Sequence, residues 1–226
     1  MNALTRSLGT YWSSSIGKKL VVAITGIALV AFLAGHLSGN LLIFVGREAF
    51  NEYAEFLHGV LHGAGIWVAR VGLLAVFVVH IVATISLARQ NKAARQPYEF
   101  KATIQASKSS RVMILSGLTI LAFVIFHLLH FTVRVNAELA ALGTIDPYGM
   151  VILGFQNPLV VLFYVIAMTL LCSHLSHGVA SIFQTLGFRS KKATGAIRAF
   201  SLSYTAVIWV GFISIPLAVL AGLVKF

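Results

Sequence analysis

The stretch LVVAITGIALVAFLAGHLSGNLLIFV, residues 20–45, decides the fold class of this chain. It contains no Asp, Glu, Lys or Arg. It is longer than the roughly 20 residues that an α-helix needs to cross the hydrocarbon core of a bilayer. Because it is also too long for the apolar region of a cleavable signal peptide, we expect it to remain in the protein as a membrane-spanning helix.

Four further apolar runs of spanning length follow the first. They lie at about 64–89, 111–134, 157–186 and 198–224. The 226 residues are 58% hydrophobic and only 10% charged. We therefore predict an all-α bundle of five transmembrane helices, forming one membrane domain over residues 1–226. In the loop 46–63, apolar residues recur at helical spacing, which predicts a short helix at the membrane interface.

The charged residues indicate how the bundle is oriented. Thirteen of the 17 Lys and Arg residues lie in the N-terminal segment and in the loops after spans two and four, whereas five of the six acidic residues lie in the other loops. Because cytoplasmic loops are enriched in Lys and Arg, we expect a cytoplasmic N-terminus and an external C-terminus. Basic clusters between apolar runs suit an anionic phospholipid surface, so the net charge of +11 does not indicate a nucleic-acid partner.

Five histidines lie well inside the predicted spans: His36, His80, His127, His174 and His177. A sixth, His130, lies in span three about one turn nearer the outer surface. Intramembrane ionisable side chains usually face the bundle interior and mark a functional site. For any single one, a neutral imidazole bonded to a carbonyl is the alternative. However, spans one to four each carry at least one histidine, and no acidic residue accompanies them. Four helices that offer imidazoles to one core are what two haems b with paired histidine ligands require.

Depth in the membrane divides these histidines into an outer and an inner group. At 1.5 Å per residue, His36 and His127 reach similar depths toward the outside. His80 lies nearer the cytoplasm, where both His174 and His177 match it, so depth does not separate those two. The single cysteine lies in span four, which excludes a disulfide framework and a cysteine-based metal site.

Spans one and three share a short internal repeat. TGIALVAFLAGH (25–36) and SGLTILAFVIFH (116–127) both place a hydroxyl residue and a glycine 11 and 10 positions before the histidine. Glycine lets a flat macrocycle approach the helix backbone. This repeat favours His127 over His130 as the partner of His36. In span four, Gly178 lies one turn after His174, and this weakly favours His174.

Several segments in this order resemble the cytochrome b558 type of membrane anchor, the five-helix, di-haem subunit of succinate:quinone oxidoreductases and fumarate reductases. They are GHLSGNLLIF, FNEYAEFLH, VVHIVATISLA, SRVMILSGLTILAFVIFHLLHFT and HLSHG. HLSHG, residues 174–178, is similar to the family's H-x-S-x-G, whose first histidine is a haem ligand. The resemblance implies that His36 and His127 ligate the distal haem, and that His80 and His174 ligate the proximal haem.

Other residues are expected close to the haems. Lys18 and Lys19 are interpreted as contacts of haem propionates or phospholipid, and His177 as a propionate or carbonyl partner. The remaining candidates for the haem surroundings are Gly26, Gly117, His130 and Gly178.

The resemblance also implies a function. A partner flavoprotein would oxidise succinate, an iron–sulfur subunit would relay the electrons, and this chain would pass them through two haems b to menaquinone. The chain would then hold no catalytic residue for succinate itself, and it would lie in a bacterial cytoplasmic membrane. Cys172 stands where some fumarate-reducing relatives have a glutamate of a proton path. This difference favours succinate oxidation over fumarate reduction.

The quinone site is predicted at the outer side, where acidic and histidine side chains cluster, with one candidate at the inner side. The outer candidates are Glu52, Glu55, His58 and His62, and the inner one is Ser15. Ser15 and Lys19 resemble the Ser/Arg pair of ubiquinone-type anchors. His58 and His62 are spaced for zinc, but a third ligand is not evident. Interfacial polar residues of a surface helix are the alternative interpretation of the outer cluster.

Three other functions compete with this interpretation. The first is the anchor of a quinol:fumarate reductase, and the second is the di-haem anchor of another respiratory complex such as nitrate reductase. The third, from a different class, is a haem-free transporter whose histidines line a polar path. The oligomeric state of the complex stays open at this point.

Overall fold

The computed structural model describes residues 12–94, 113–143 and 145–226. In this part of the chain the regular structure is entirely helical. In chain order the helices are α1 (Ser15–Asn40), α2 (Arg47–Gly59), α3 (Ala64–Ala93), α4 (Met113–His127), α5 (Ala137–Leu142), α6 (Pro147–Gly154), α7 (Pro158–Thr185) and α8 (Thr194–Leu220).

Five of these helices are long and apolar enough to cross a membrane: α1, α3, α4, α7 and α8. The 3-10 turn Leu41–Phe44 extends α1, and the π-helical turn Leu128–Val133 extends α4. The predicted five-span, all-α bundle is therefore confirmed. The predicted boundaries differ from the observed ones by a few residues, because capping residues set where the helices begin and end. For example, Ser14 Oγ accepts a hydrogen bond from Gly17 N at 2.9 Å, so α1 starts before the apolar run does.

The four histidine-bearing spans follow one another in the order α3, α1, α7, α4. Helix α1 packs along both α3 and α7, α4 packs along α7, and α8 covers α7 and α1. Among the described residues, α3 and α7 share no comparable interface, and neither do α1 and α4. Side chains that meet between α3 and α7, or between α1 and α4, therefore line the interior of the bundle. This arrangement positions the histidines.

The two ends of the bundle differ in charge. We call the end that holds the start of α1, the end of α3 and the start of α8 the basic end, and the opposite end, which carries α2, α5 and α6, the acidic end. Helix α2 confirms the helix predicted within residues 46–63. Helices α5 and α6 were not predicted. Asn136 and Asp146 cap their first turns, and Pro147 occupies the first position of α6, where a missing N–H has no consequence.

A polar clasp joins α2 to α6 at the acidic end. Asn51 Nδ2 donates to Asp146 Oδ1 at 2.9 Å, and Tyr148 N donates to Asn51 Oδ1, also at 2.9 Å. The Arg47 guanidinium lies 3.4 Å from Asp146 Oδ2. Tyr148 Oη donates to the main-chain oxygen of Lys225 at 3.2 Å, which adds the C-terminal segment. One carboxylate thus caps α6 and accepts bonds from α2.

Asp146→Ala is expected to destabilise the protein by about 2 kcal/mol, because it removes the α6 cap and leaves the Asn51 amide without its acceptor. Unfolding in detergent, followed by circular dichroism against denaturant, measures the change. Asn136→Ala is the matched control, since it removes the cap of α5 without breaking a contact between helices. Equal losses in the two variants would contradict the role of the clasp.

Candidate functional site

The structure brings the four predicted haem ligands together as two pairs. The rings of His36 and His127 have their centres 5.9 Å apart, with their planes at 81°. His174 lies close enough to His80 for the two imidazoles to interact electrostatically. Each pair joins two helices that do not pack directly, α1 with α4 and α3 with α7. A metal ion about 2 Å from two imidazole nitrogens separates the ring centres by roughly 6 Å, which matches the first pair.

Two hydroxyl groups orient the pair toward the basic end. Thr25 Oγ1 lies 2.9 Å from His80 Nδ1, and Ser116 Oγ lies 3.2 Å from His174 Nδ1. Each hydroxyl donates its own hydrogen to a carbonyl of its own helix, at 2.6 Å for Thr25 and 3.0 Å for Ser116. With the hydrogens so directed, the oxygens can only accept from Nδ1–H groups. In that tautomer both Nε2 atoms are unprotonated, which is the form that ligates a metal.

A phenol links His127 to the neighbouring His130. Tyr164 Oη lies 3.2 Å from His127 Nδ1 and 3.1 Å from His130 Nδ1. A phenol has one hydrogen to donate, so it donates to at most one of the two rings and accepts from any other that bonds to it. Only the ring that donates through Nδ1 presents a free Nε2 lone pair.

Phenylalanines one turn earlier brace both histidines of the acidic-end pair. Phe32 stacks on His36 with ring centres 5.2 Å apart, and Phe123 stacks on His127 at 5.7 Å. The amide of Asn40 donates to the main-chain oxygen of His36 at 2.7 Å, with its nitrogen 3.3 Å from Nδ1 of that ring. These contacts restrict the rotamers of both imidazoles.

The predicted glycines lie beside the basic-end histidines. A Cβ added at Gly26 would lie 3.6 Å from Cε1 of His80, and one added at Gly117 would lie 3.9 Å from Cε1 of His174. At Gly178 an added Cβ would meet no atom of the described chain within 4 Å. The residues repeated in spans one and three thus contact the basic-end pair, whereas from the sequence we related the repeat only to the acidic-end pair.

The donor set fits haem iron better than a bare metal ion. In the described part of the chain, no group of three or more His, Cys, Asp or Glu side chains converges on one point. A metal held by protein ligands alone usually needs at least three. A haem supplies four nitrogens of its own, so that two histidines with free Nε2 atoms complete its coordination.

The other residues predicted near the haems lie around the basic-end pair or at the bundle surface. Lys18 is only 8% exposed, and its Nζ donates to Gln90 Oε1 on α3 at 2.9 Å. Lys19 is exposed and Ser15 is partly buried. His177 is partly buried and within electrostatic reach of His174. Lys18 therefore joins α1 to α3, about two turns before Thr25 on the same helix.

The predicted outer quinone residues lie along α2 and the turn that follows it. Glu52 and Glu55 line an open pocket of about 450 Å³. His58 is exposed and its Nδ1 lies 2.7 Å from the carbonyl of Ala54. His62 lies in a left-handed turn with φ of 54°. The structure thus brings the two glutamates together but does not bring either histidine into that pocket.

A smaller cavity of about 170 Å³ lies between α2 and the end of α1. His36 lines it together with Asn40, Phe50 and Tyr53. Sequence reasoning missed Asn40 and Tyr53 here, because neither residue type stands out in an interfacial segment. It also missed Tyr164, which carries no spacing signal of its own.

One family model matches the chain. Residues 86–220 match the model described as succinate dehydrogenase/fumarate reductase transmembrane subunit. The match extends from the end of α3 to the end of α8 and covers more than half of the chain. It contains His127 and His174, whereas His36 and His80 lie before it. No curated protein and no solved structure matches the chain.

Proposed function

The chain belongs to the succinate dehydrogenase/fumarate reductase transmembrane subunit family, and from this we propose that it is the di-haem membrane anchor of a succinate:menaquinone oxidoreductase. It is a multi-pass membrane protein, and its family membership implies a complex with other succinate dehydrogenase subunits. The observation that carries the proposal is the pairing of four intramembrane histidines on four helices, one pair toward each end of the bundle.

Each histidine pair has a proposed cofactor. His36 and His127 would hold one haem b near the acidic end, and His80 and His174 would hold the other near the basic end. When bound, these groups supply one-electron carriers across the bundle. The chain's own residues hold the imidazoles in place: Thr25 and Ser116 accept from the basic-end rings, as described above.

The charge distribution supports the proposed orientation and partners. The basic end would face the bacterial cytoplasm, following the enrichment of Lys and Arg in cytoplasmic loops. The iron–sulfur subunit would dock there and deliver electrons to the nearer haem. The flavoprotein, which holds the succinate site, would bind that subunit in turn. Lys18 and Lys19 would then lie between the proximal haem and the phospholipid headgroups.

The acidic end is the proposed place of quinone reduction. The cavity beside His36 presents the side chains of Asn40 and Tyr53, which are suited to hydrogen-bond a quinone carbonyl. Glu52 and Glu55 line the neighbouring open pocket, where carboxylates in contact with water are able to deliver protons. Ser15 with Lys19 at the basic end is the second candidate, supported only by the spacing of the two residues.

Cys172 bears on the direction of the reaction. Its side chain is buried, and its Sγ lies 3.6 Å from the carbonyl of Thr205 on α8. The thiol thus faces α8, and this position offers no carboxylate to carry protons across the membrane. This supports succinate oxidation as the physiological direction, with the anchor of a quinol:fumarate reductase as the alternative.

Reduced-minus-oxidised spectra of the complex, purified with its partner subunits, test the proposal. We expect two b-type haem components, two haems per chain by pyridine haemochrome assay, and faster succinate oxidation than fumarate reduction with a menaquinone analogue. Faster fumarate reduction would favour the fumarate reductase anchor. Absence of haem would overturn the proposal.

A further inference from the structure

Helices α1 and α4 carry the same pattern of four side chains in the same register. Each has a hydroxyl residue, then a glycine, then a phenylalanine four positions before a histidine. The pairs are Thr25 and Ser116, Gly26 and Gly117, Phe32 and Phe123, and His36 and His127. The phenylalanine stacks on the histidine of its own helix, whereas the hydroxyl binds a histidine of another helix.

We propose that α1 and α4 are equivalent units of the haem-binding bundle, in which Thr25 and Ser116 are positioning residues for the ligands of the basic-end haem. The inference rests on the proposed di-haem function and deepens it. Each unit serves both haems: it gives one imidazole to the acidic-end haem and one hydroxyl to a ligand of the basic-end haem. Thr25 holds His80 of α3, and Ser116 holds His174 of α7.

The chemistry of these hydrogen bonds is directional. Thr25 Oγ1 and Ser116 Oγ have already donated their hydrogens to Val21 O and Met113 O, so each offers only a lone pair to the imidazole. Both hydroxyl residues are at most 9% exposed, so water does not readily replace them. An Nδ1–H that donates to a fixed acceptor makes Nε2 a more basic ligand. A more basic ligand stabilises ferric over ferrous iron and lowers the midpoint potential.

The same contact distinguishes two histidines that are three residues apart. Ser116 lies 3.2 Å from Nδ1 of His174. No hydrogen bond from Ser116 to His177 occurs in the described structure. The hydroxyl of α4 therefore selects His174 as the ligand on physical grounds that are independent of any sequence pattern.

The test compares Thr25→Val and Ser116→Ala with two matched controls in the assembled complex. Thr119→Val and Ser214→Ala make the same chemical changes, but these hydroxyls have no histidine partner and bond only within their own helices, to Leu115 O and Gly211 O. Spectroelectrochemical titration measures the midpoint of each haem component. Competition with apomyoglobin measures how readily the haem is lost.

We expect the basic-end midpoint to rise in both test variants, and that haem to bind about tenfold more weakly. The acidic-end component and both controls should match the wild type. Thr25→Ser and Ser116→Thr should restore the midpoint, and Thr25→Ala replaces the valine variant if that variant does not assemble. Unchanged midpoints, or equal shifts in the controls, would overturn the positioning role. Wild-type protein without haem would instead overturn the proposed function.

Discussion

Replacing His174 with alanine is expected to remove one of the two b-type haems and to leave the other bound. The imidazole of His174 is held by Ser116 through Nδ1 and lies within electrostatic reach of His80 across the bundle. Without it the basic-end iron has a single protein ligand, and the loss should exceed the 10- to 100-fold weakening that follows removal of a supporting hydrogen bond. Haem content per chain should fall from two to one.

His177→Ala is the matched control for this experiment, because it removes an imidazole three residues away on the same helix. His177 is partly buried, and it is not the ring that Ser116 holds. We expect this variant to keep both haems, with at most a shift in the midpoint of the basic-end component. Haem loss in His177→Ala together with retention in His174→Ala would show that the ligand has been wrongly assigned.

The second large effect is expected at the acidic end, where His127→Ala should eliminate the other haem. The His127 ring lies 5.9 Å from that of His36, centre to centre, and Phe123 stacks on it. Removal of the ring leaves His36 without its partner on α4. Optical difference spectra of His127→Ala should show only the haem component that His174→Ala lacks. The two variants together therefore assign each spectral component to one haem.

His130→Ala separates ligation from support at this end. His130 lies in the π-helical turn after α4, on the other side of the Tyr164 hydroxyl from His127. Its loss leaves Tyr164 with one histidine partner, so that the phenol no longer has to bridge two rings. We expect both haems to remain and the acidic-end midpoint to shift. Loss of the acidic-end haem in His130→Ala, with retention in His127→Ala, would exchange the two roles.

Hydrophobicity and length were sufficient to predict the helices. A run of about 20 apolar residues has few alternatives to a spanning helix, because its backbone polar groups must be satisfied within the segment in lipid. The helix in residues 46–63 was predicted for a similar local reason, the spacing of its apolar side chains. Helices α5 and α6 were missed, since they are short and depend on the capping side chains Asn136 and Asp146.

The candidate site was predictable only in part. Sequence reasoning singled out five histidines and predicted their approximate depths, because an imidazole is conspicuous in an apolar helix. The choice of His174 over His177 came from the family resemblance. The repeat that contains Thr25 and Ser116 was interpreted as support for His36 and His127 alone. The partners of these hydroxyls, His80 and His174, lie 55 and 58 residues further along the chain. Nothing local in the sequence relates residues at such separations.

The sequence by itself thus determined the all-α membrane fold, the five spans and the set of histidines within them. Each of these follows from the free energy of placing a residue type in hydrocarbon, which acts residue by residue. The tertiary structure decided which hydroxyl meets which imidazole, and it placed Tyr164 between His127 and His130. Such contacts depend on the order in which the helices pack around the interior, and that order is a property of the whole bundle.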